Sequence, residues 1–546
     1  VEFNLADLFE IVVDTCPDRL ALVAGAVRHT YGALDERANR VAHHLRSSGV
    51  GIGDFVAVLS WNRAEWIEAQ HGIYKARCAV VNVNYRYVAD ELRYILQNAE
   101  ATAIVFERSF APMVAEVAPD CPRLVSFTVI DDGTTDADSA AALAALGAAD
   151  YESALAAASA SRDGLHPRSS DDLYLLYTGG TTGMPKGVMW RAEDIFFAAL
   201  GGGGYGQPPI ATPGELAERV GANPNPLISM VNAPMMHGGG QWVSWATFFG
   251  GGTCVLNVAH HFDGLEVWRT ASRERANTLM VVGDAMARPL AEALDHLPSD
   301  VDISSVFVIG SGGSILSPAI KDHLRAALPN VFVNDSFGAS ETGAAGAVQD
   351  ATGPSLGARF TVNEQMNVLG DDDLPVAPGS GTVGMLARRG HIPLGYWRDA
   401  EKTATTFRTG PDGVRWVIPG DFATIEDDGT ITVLGRGSVC IQSGGEKIFP
   451  EEVESACKAH PAVFDAVVVG VPDERFIERV AAIVTLREGL PAPDLADLQE
   501  FCRTKIAGFK VPRELHVVEV IPRTPVGKPD YRLAKRIALG EAEAPA

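Results

Sequence analysis

Eleven residues, Tyr177-Thr-Gly-Gly-Thr-Thr-Gly-Met-Pro-Lys-Gly187, hold four glycines, three threonines and one lysine. They follow Asp172-Leu-Tyr-Leu-Leu-Tyr177, which alternates in part and reads as a strand. Glycine lets backbone N–H groups close on a ligand and turn inward as an anion nest. Threonine hydroxyls and a lysine ammonium add side-chain donors. Together they make a loop built to hold a polyphosphate. It is not a Walker loop, which ends in Gly-Lys-Ser/Thr, because Lys186 lies between Pro185 and Gly187.

The chain has 546 residues, more than one ordinary domain. A net charge of −24 argues against broad contact with nucleic acid or an anionic membrane. No apolar run reaches the roughly 20 residues of a membrane span. The first residues, Val1-Glu-Phe-Asn-Leu-Ala-Asp, show no basic segment before an apolar stretch, so no signal peptide is expected. Seven scattered cysteines without a CxxC pair point to reduced thiols and a cytoplasmic setting. Against the acidic trend, residues 501–536 carry nine basic and three acidic side chains, a composition suited to a small anionic ligand.

Residues 1–130 mix amphipathic helix (Asp35–Leu45) with short strands (Phe55–Leu59, Cys78–Val83), which predicts an α/β sheet. Residues 131–165 read as a surface loop with a helix, and Gly201–Gly204 as a flexible loop. Further strands are expected at Leu227–Asn232, Thr278–Val282 and Val306–Ile309. Past a linker at Leu434–Ser438 the pattern changes to helix, strand, strand, helix, strand over 450–459, 463–470, 479–486, 494–506 and 515–521. The expected organisation is a large α/β domain over 1–436 and a small mobile α+β domain over 437–546.

With these motifs in order, the chain resembles the adenylate-forming superfamily of acyl-CoA synthetases, peptide-synthetase adenylation domains and beetle luciferases. That resemblance implies activation of a carboxylic acid by ATP. The acid is already ionised at neutral pH, so no general base is needed. The barrier is charge repulsion and the phosphoryl transition state, which lysines, Mg²⁺ and oriented N–H groups relieve. By the resemblance, Thr178, Gly179, Gly180, Thr181, Thr182, Gly183 and Lys186 hold the ATP phosphates. Asn334-Asp-Ser-Phe-Gly-Ala-Ser-Glu-Thr-Gly343 is similar to an aromatic–Gly–x–Thr–Glu element. It implies Glu341 on Mg²⁺, Ser340 on the α-phosphate, Phe337 on adenine, and Asp335, Ser336 and Gly338 around the nucleotide. Taken alone, Glu341 reads as a solvated loop acid.

Gly310-Ser-Gly-Gly-Ser314 lacks the last glycine of a dinucleotide fingerprint. The resemblance puts Gly310, Ser311 and Gly312 beside the adenine and the acyl tunnel. Asp421 of Pro419-Gly-Asp421 would hold the ribose hydroxyls with Arg436. In Pro522-Arg-Thr-Pro-Val-Gly-Lys528, Lys528 would be the adenylation lysine, although alone it reads as a surface lysine. Ser438 stands where the family places a hinge Asp or Lys. Ser443, Gly444, Gly445 and Glu446 would line the pantetheine tunnel, and Phe509, Lys510 and Arg513 would meet the coenzyme A nucleotide.

Ala233-Pro-Met-Met-His237-Gly-Gly-Gly-Gln-Trp242 resembles the acyl-pocket element, with His237 as a gate beside the carboxylate. Gly238, Gly239 and Gly240 offer no side chains to fill a pocket, and Trp242 borders it. The wording around Ser438, Glu446 and Lys528 is similar to a subgroup acting on steroid side-chain, terpenoid and fatty acids. The expected activity is an ATP- and Mg²⁺-dependent acyl-CoA ligase for a bulky or long apolar acid. The alternatives are a ligase that loads a carrier protein, a luciferase-like oxygenase and a non-catalytic adenylate binder. A homodimer is compatible with all of them.

Overall fold

A computed structural model describes residues 2–545 except 179–183, 204–206, 314–315, 317, 349–357, 363, 437–438, 444–445, 474–476 and 525–528. The chain divides into two compact units, residues 1–344 with 391–404, and residues 345–390 with 405–546.

The first unit carries three sheets. In one, Leu20–Ala24, Thr253–Leu256, Ile228–Val231, Thr278–Val281, Val308–Gly312 and Phe332–Ala339 lie side by side and parallel, with Val27–Thr30 antiparallel on the outer edge. In the second, Ala79–Asn82, Phe55–Leu59, Ala103–Glu107, Ser126–Ile130 and Ala149–Asp150 are all parallel. Phe55–Leu59 and Ala103–Glu107 are buried from end to end. That is the signature of parallel strands covered on both faces, and it is why they appear as unbroken apolar runs. The third is the hairpin Leu173–Thr178 and Lys186–Arg191, joined by Gly395–Tyr396.

The expected strand Phe55–Leu59 forms with those ends, and the helix expected over 35–45 extends to Tyr31–Ser47, with the Thr30 hydroxyl as its N-cap acceptor. Residues 131–165 depart from the single helix read there. They form two, Ala137–Leu146 and Tyr151–Ala157, separated by the strand Ala149–Asp150. Gly147 at φ +61° ends the first and lets the chain reverse.

In the second unit, antiparallel strands between Ala358 and Arg436 precede a five-stranded sheet. That sheet contains Val463–Asp473 and Ile477–Leu486 as a long antiparallel pair, with Pro450–Lys458 and Leu495–Arg503 as helices. These match the helix–strand–strand–helix reading, and Glu514–Val517 adds the last strand in parallel. The reading missed Ile441–Ser443, Glu446–Ile448 and the helix Tyr531–Ala538. The two strands are three residues each, too short to show alternation. Among the described residues, no helix is long and apolar enough to cross a membrane.

Candidate active site

The phosphate-loop motif bridges a hairpin. Thr178 faces Lys186 across the ladder, so Gly179, Gly180, Thr181, Thr182 and Gly183, which lie outside the described residues, connect paired strand ends. The Lys186 ammonium forms an ion pair with Asp399 and lies 5.9 Å from the centre of the Tyr396 ring. That pair holds the Asp399 carboxyl below its usual range. Tyr396 donates its hydroxyl to Glu341 Oε1 at 2.9 Å. Its backbone pairs with Val188 on the hairpin. A phosphate-loop lysine and a metal-ligand candidate 155 residues further on thus share one aromatic side chain.

Ser340 and Glu341 occupy a turn that Thr342 closes. The Thr342 hydroxyl accepts from Ala339 N–H at 3.0 Å, and Thr342 N–H donates to the Ala339 carbonyl at 3.0 Å. Trp190 Nε1, from the hairpin, donates to the Ser340 carbonyl at 3.0 Å. Gly338 has a packing role, because a Cβ there would lie 2.4 Å from the Gly343 carbonyl oxygen. The half-buried Phe337 precedes it on the same strand.

Glu341 fits a Mg²⁺ ligand. Its carboxylate offers hard oxygen, Tyr396 engages one oxygen, and Mg²⁺ commonly takes only one or two protein carboxylates beside substrate phosphates. No cluster of three or more ligating side chains occurs among the described residues.

Strand alternation sorts the Gly310–Gly312 element. Met280 pairs with Gly310, and Gly310 pairs with Asn334, so these residues share a face with Gly312 and Ser336. Among the described residues, a Cβ on Gly310 would meet nothing within 4 Å, and one on Gly312 would lie 3.2 Å from Met280 Cε. Gly239 meets the same methyl at 3.1 Å. The acyl-pocket reading of Gly310, Gly312 and Gly239 therefore has open or yielding space beside it. Ser311 and Asp335 alternate to the other face. Ser311 is 1% exposed and accepts from Gly283 N–H at 3.0 Å. Asp335 pairs with Lys321 and accepts from Leu316 N–H at 3.0 Å, and burial raises its carboxyl despite Lys321. Both side chains turn away from the face that Gly310 and Gly312 share, so the resemblance's place for Ser311 beside the adenine and acyl tunnel refers to its backbone. The strand runs Val308–Gly312, shifted toward the C-terminus from the Val306–Ile309 expected from the sequence.

His237 is the N-cap of the helix Gly238–Phe249, in an extended conformation, and its side chain does not cap the helix. The glycines after it differ in purpose. A Cβ on Gly240 would strike the Pro234 carbonyl at 2.7 Å, and one on Gly238 would crowd Leu176 at 2.9 Å and Trp242 at 3.2 Å. Gly240 is required by backbone packing, so the pocket reading narrows to Gly239.

In the second unit, Asp421 is buried at the start of its strand and pairs with Arg436 in the ladder. Ser443 faces Glu446 across a hairpin whose tip, Gly444 and Gly445, lies outside the described residues, as do Ser438 and Lys528. Part of the basic stretch is already neutralised. Lys510 donates to both oxygens of Glu452 at 2.7 and 2.8 Å, and its ammonium lies 5.6 Å from the Phe509 ring centre. Arg513 is exposed, and its N–H donates to the Val480 carbonyl at 2.7 Å. Because Glu452 is 4% exposed, Lys510→Met strands a buried carboxylate. The expected loss is about 2–3 kcal/mol, below the roughly 3–5 of a fully buried pair because Lys510 keeps some water. Urea unfolding measures it, and Glu452→Gln in the Lys510→Met background should recover most of it.

The sequence reading overlooked Tyr396, Asp399, Thr342 and Trp190. The aromatic run Gly395-Tyr-Trp397 was the available signal for the first two.

The AMP-binding enzyme family matches residues 9–397, and the AMP-binding enzyme C-terminal domain matches residues 452–528. The chain belongs to the AMP-binding enzyme family. It is 48% identical over 544 residues to the medium/long-chain-fatty-acid–CoA/3-oxocholest-4-en-26-oate–CoA ligase of Mycobacterium marinum, covering 98% of this chain and 96% of that one. It is 47% identical over 539 residues to the 3-oxocholest-4-en-26-oate–CoA ligase of Rhodococcus rhodochrous, covering 97% and 95%. A crystal structure of an anthranilate CoA ligase with anthranoyl-AMP has the same fold, with a TM-score of 0.80 at 23% identity and 98% of each chain covered. Adenylate-forming folds of this kind pair a large N-terminal α/β domain with a smaller C-terminal one.

Proposed function

We propose that this chain is an AMP-forming acyl-CoA ligase for bulky or long apolar carboxylic acids. The observation that carries the reading is the linked set Lys186, Asp399, Tyr396 and Glu341, in which the lysine proposed for phosphate and the carboxylate proposed for Mg²⁺ meet through one tyrosine. In the first half-reaction the carboxylate oxygen attacks the α-phosphorus of ATP, and the bond to pyrophosphate breaks. Lys186 and the residue 178–183 loop hold the departing phosphates, and Ser340 lies by the α-phosphate. Mg²⁺, held by Glu341, would neutralise phosphate charge. Lys528 bridges carboxylate and phosphate oxygens, while Phe337, Asp421 and Arg436 hold the nucleoside.

In the second half-reaction the coenzyme A sulfur attacks the acyl carbon, AMP leaves, and the thiol proton passes to water. Ser443–Glu446 line the path of the thiol arm, and Phe509, Lys510 and Arg513 meet the coenzyme's nucleotide. For Lys510 this requires exchanging Glu452 for a phosphate. His237, Gly239, Gly310 and Met280 border the acid. The relatives' names supply the substrate class, a steroid side-chain acid together with medium- and long-chain fatty acids. Among the described residues, nothing lies within 4 Å of a Cβ on Gly310, so that position leaves the acid unobstructed there. A cytoplasmic enzyme is part of this proposal, and a homodimer is compatible with it.

Pyrophosphate release with ATP and Mg²⁺ across a panel of acids, with and without coenzyme A, tests it. Sustained turnover should need coenzyme A, and kcat/KM should be highest for bulky or long acids. Acetate or propionate as the best substrate would overturn the pocket assignment. An acyl-AMP that coenzyme A cannot discharge would favour loading of a carrier protein.

A further inference from the structure

One buried amide joins the two halves of the first-unit site. Asn82 ends the edge strand Ala79–Asn82 of the five-stranded sheet and is 4% exposed. Its Nδ2 donates to the Tyr177 carbonyl at 2.9 Å and to the Met236 carbonyl at 2.7 Å. Its Oδ1 accepts from Tyr177 N–H at 2.8 Å. Tyr177 is the residue before Thr178, where the phosphate loop leaves its strand, and Met236 is the residue before His237. Two segments 59 positions apart in sequence are thus held by one planar group.

The chemistry is particular to asparagine. A short side chain must present two donors and an acceptor at once, which aspartate, serine and threonine do not. Buried carbonyls left without a donor are costly, so the amide is the group that lets both backbones stop there. The turn before His237 is fixed on its other side by Asn62. That side chain donates to the Ala233 carbonyl at 3.1 Å and accepts from Met235 N–H at 2.7 Å. Among the described residues, Asn62 bonds to the His237 turn and the neighbouring Asn257 carbonyl, whereas Asn82 bonds to that turn and to the strand that enters the phosphate loop.

We infer that Asn82 is a positioning residue that sets the phosphate loop and the His237 turn relative to each other, so that ATP and the acid meet in register. The inference rests on the ligase reading above. Small errors in the placement of two reactants are expensive, up to about 10²-fold for a displacement near 1 Å.

The test compares Asn82→Ala, Asn62→Ala and Asn39→Ala in the full-length enzyme by initial-rate kinetics and thermal unfolding. Asn39 is a buried asparagine bonded to Asp35 and the Ala160 carbonyl, and it serves as the stability control. Asn82→Ala should raise KM for ATP and for the acid together, and lower kcat/KM by about 10²-fold. Asn62→Ala should raise KM for the acid alone. Asn39→Ala should lower Tm with kinetics within about threefold, the level expected of a change remote from the reacting groups. The inference fails if Asn82→Ala moves only one KM, moves neither, or is reproduced by Asn39→Ala at equal loss of Tm. Should Asn82→Ala not fold, Asn82→Asp keeps the volume, removes both donors and is read by the same criteria. Wild-type protein without turnover on any acid would refute the ligase reading instead, a result separate from all of these.

Discussion

Lys528→Ala is expected to lower acyl-AMP formation by about 10²–10³-fold, the loss typical when one preorganised donor that stabilises developing negative charge is removed. Thioester formation from supplied acyl-AMP and coenzyme A should stay within a few-fold of wild type. The motivation is the motif Pro522–Lys528 at the end of the C-terminal family match, together with the acidic character of both reactants. Two anions must approach, and a compact ammonium on a long stem can bridge them. Pyrophosphate release reports the first half-reaction, and thiol consumption with synthetic acyl-AMP reports the second. Equal loss in both would mean that Lys528 supports folding or coenzyme binding instead. Conversion to Arg should not restore the rate, because a planar fork replaces a point charge.

Gly338→Ala is the second large effect. The new methyl would sit 2.4 Å from the Gly343 carbonyl oxygen, and that neighbour is backbone, which cannot rotate away. Forced overpacking costs roughly 1–3 kcal/mol, and a rigid neighbour puts this site at the upper end. The strain falls on the turn that presents Ser340 and Glu341, so activity should drop further than stability alone explains, by about 10²-fold in kcat/KM for ATP. Circular dichroism with urea separates the two effects. By contrast, Gly310→Ala, whose Cβ meets nothing within 4 Å, should leave stability unchanged. A Gly338→Ala enzyme as active and stable as wild type would mean that the turn relaxes freely.

Features set by local chemistry were legible before any coordinates. The strand Phe55–Leu59, the strand that leads into the phosphate motif, and most of the 450–517 unit follow from period, glycine content and order, whereas the partner strand Lys186–Arg191 went unread. What stayed hidden depends on contacts between distant segments. Lys186 finds Asp399 across 213 residues, and nothing in the composition near either residue announces the other. Ser311 and Asp335 sit in site-like motifs, yet period-two alternation turns both side chains to the opposite face. Asn82 looked like one polar residue in an apolar strand, and its meaning appears only when Tyr177 and Met236 arrive beside it. Lys510 was legible as a cation but not as half of a buried pair, because Glu452 belongs to a helix 58 residues earlier.

The strand Val308–Gly312 has a consequence for how this enzyme can change over generations. Ile309 and Ser311 turn to one side, where Ile309 joins the apolar core and Ser311 holds the start of a helix. Gly310 and Gly312 turn to the other, where space is open or bounded by a single flexible methionine. On the proposed acid pocket, substitutions that enlarge Gly310 or Gly312 would reshape what the acid must look like while leaving the fold's foundations untouched. Substitutions at the intervening positions do the reverse. If the acid does lie against that face, as proposed, selection would retune substrate preference and fold integrity along the same five residues almost independently, which would let such a scaffold diversify without first accumulating spare stability.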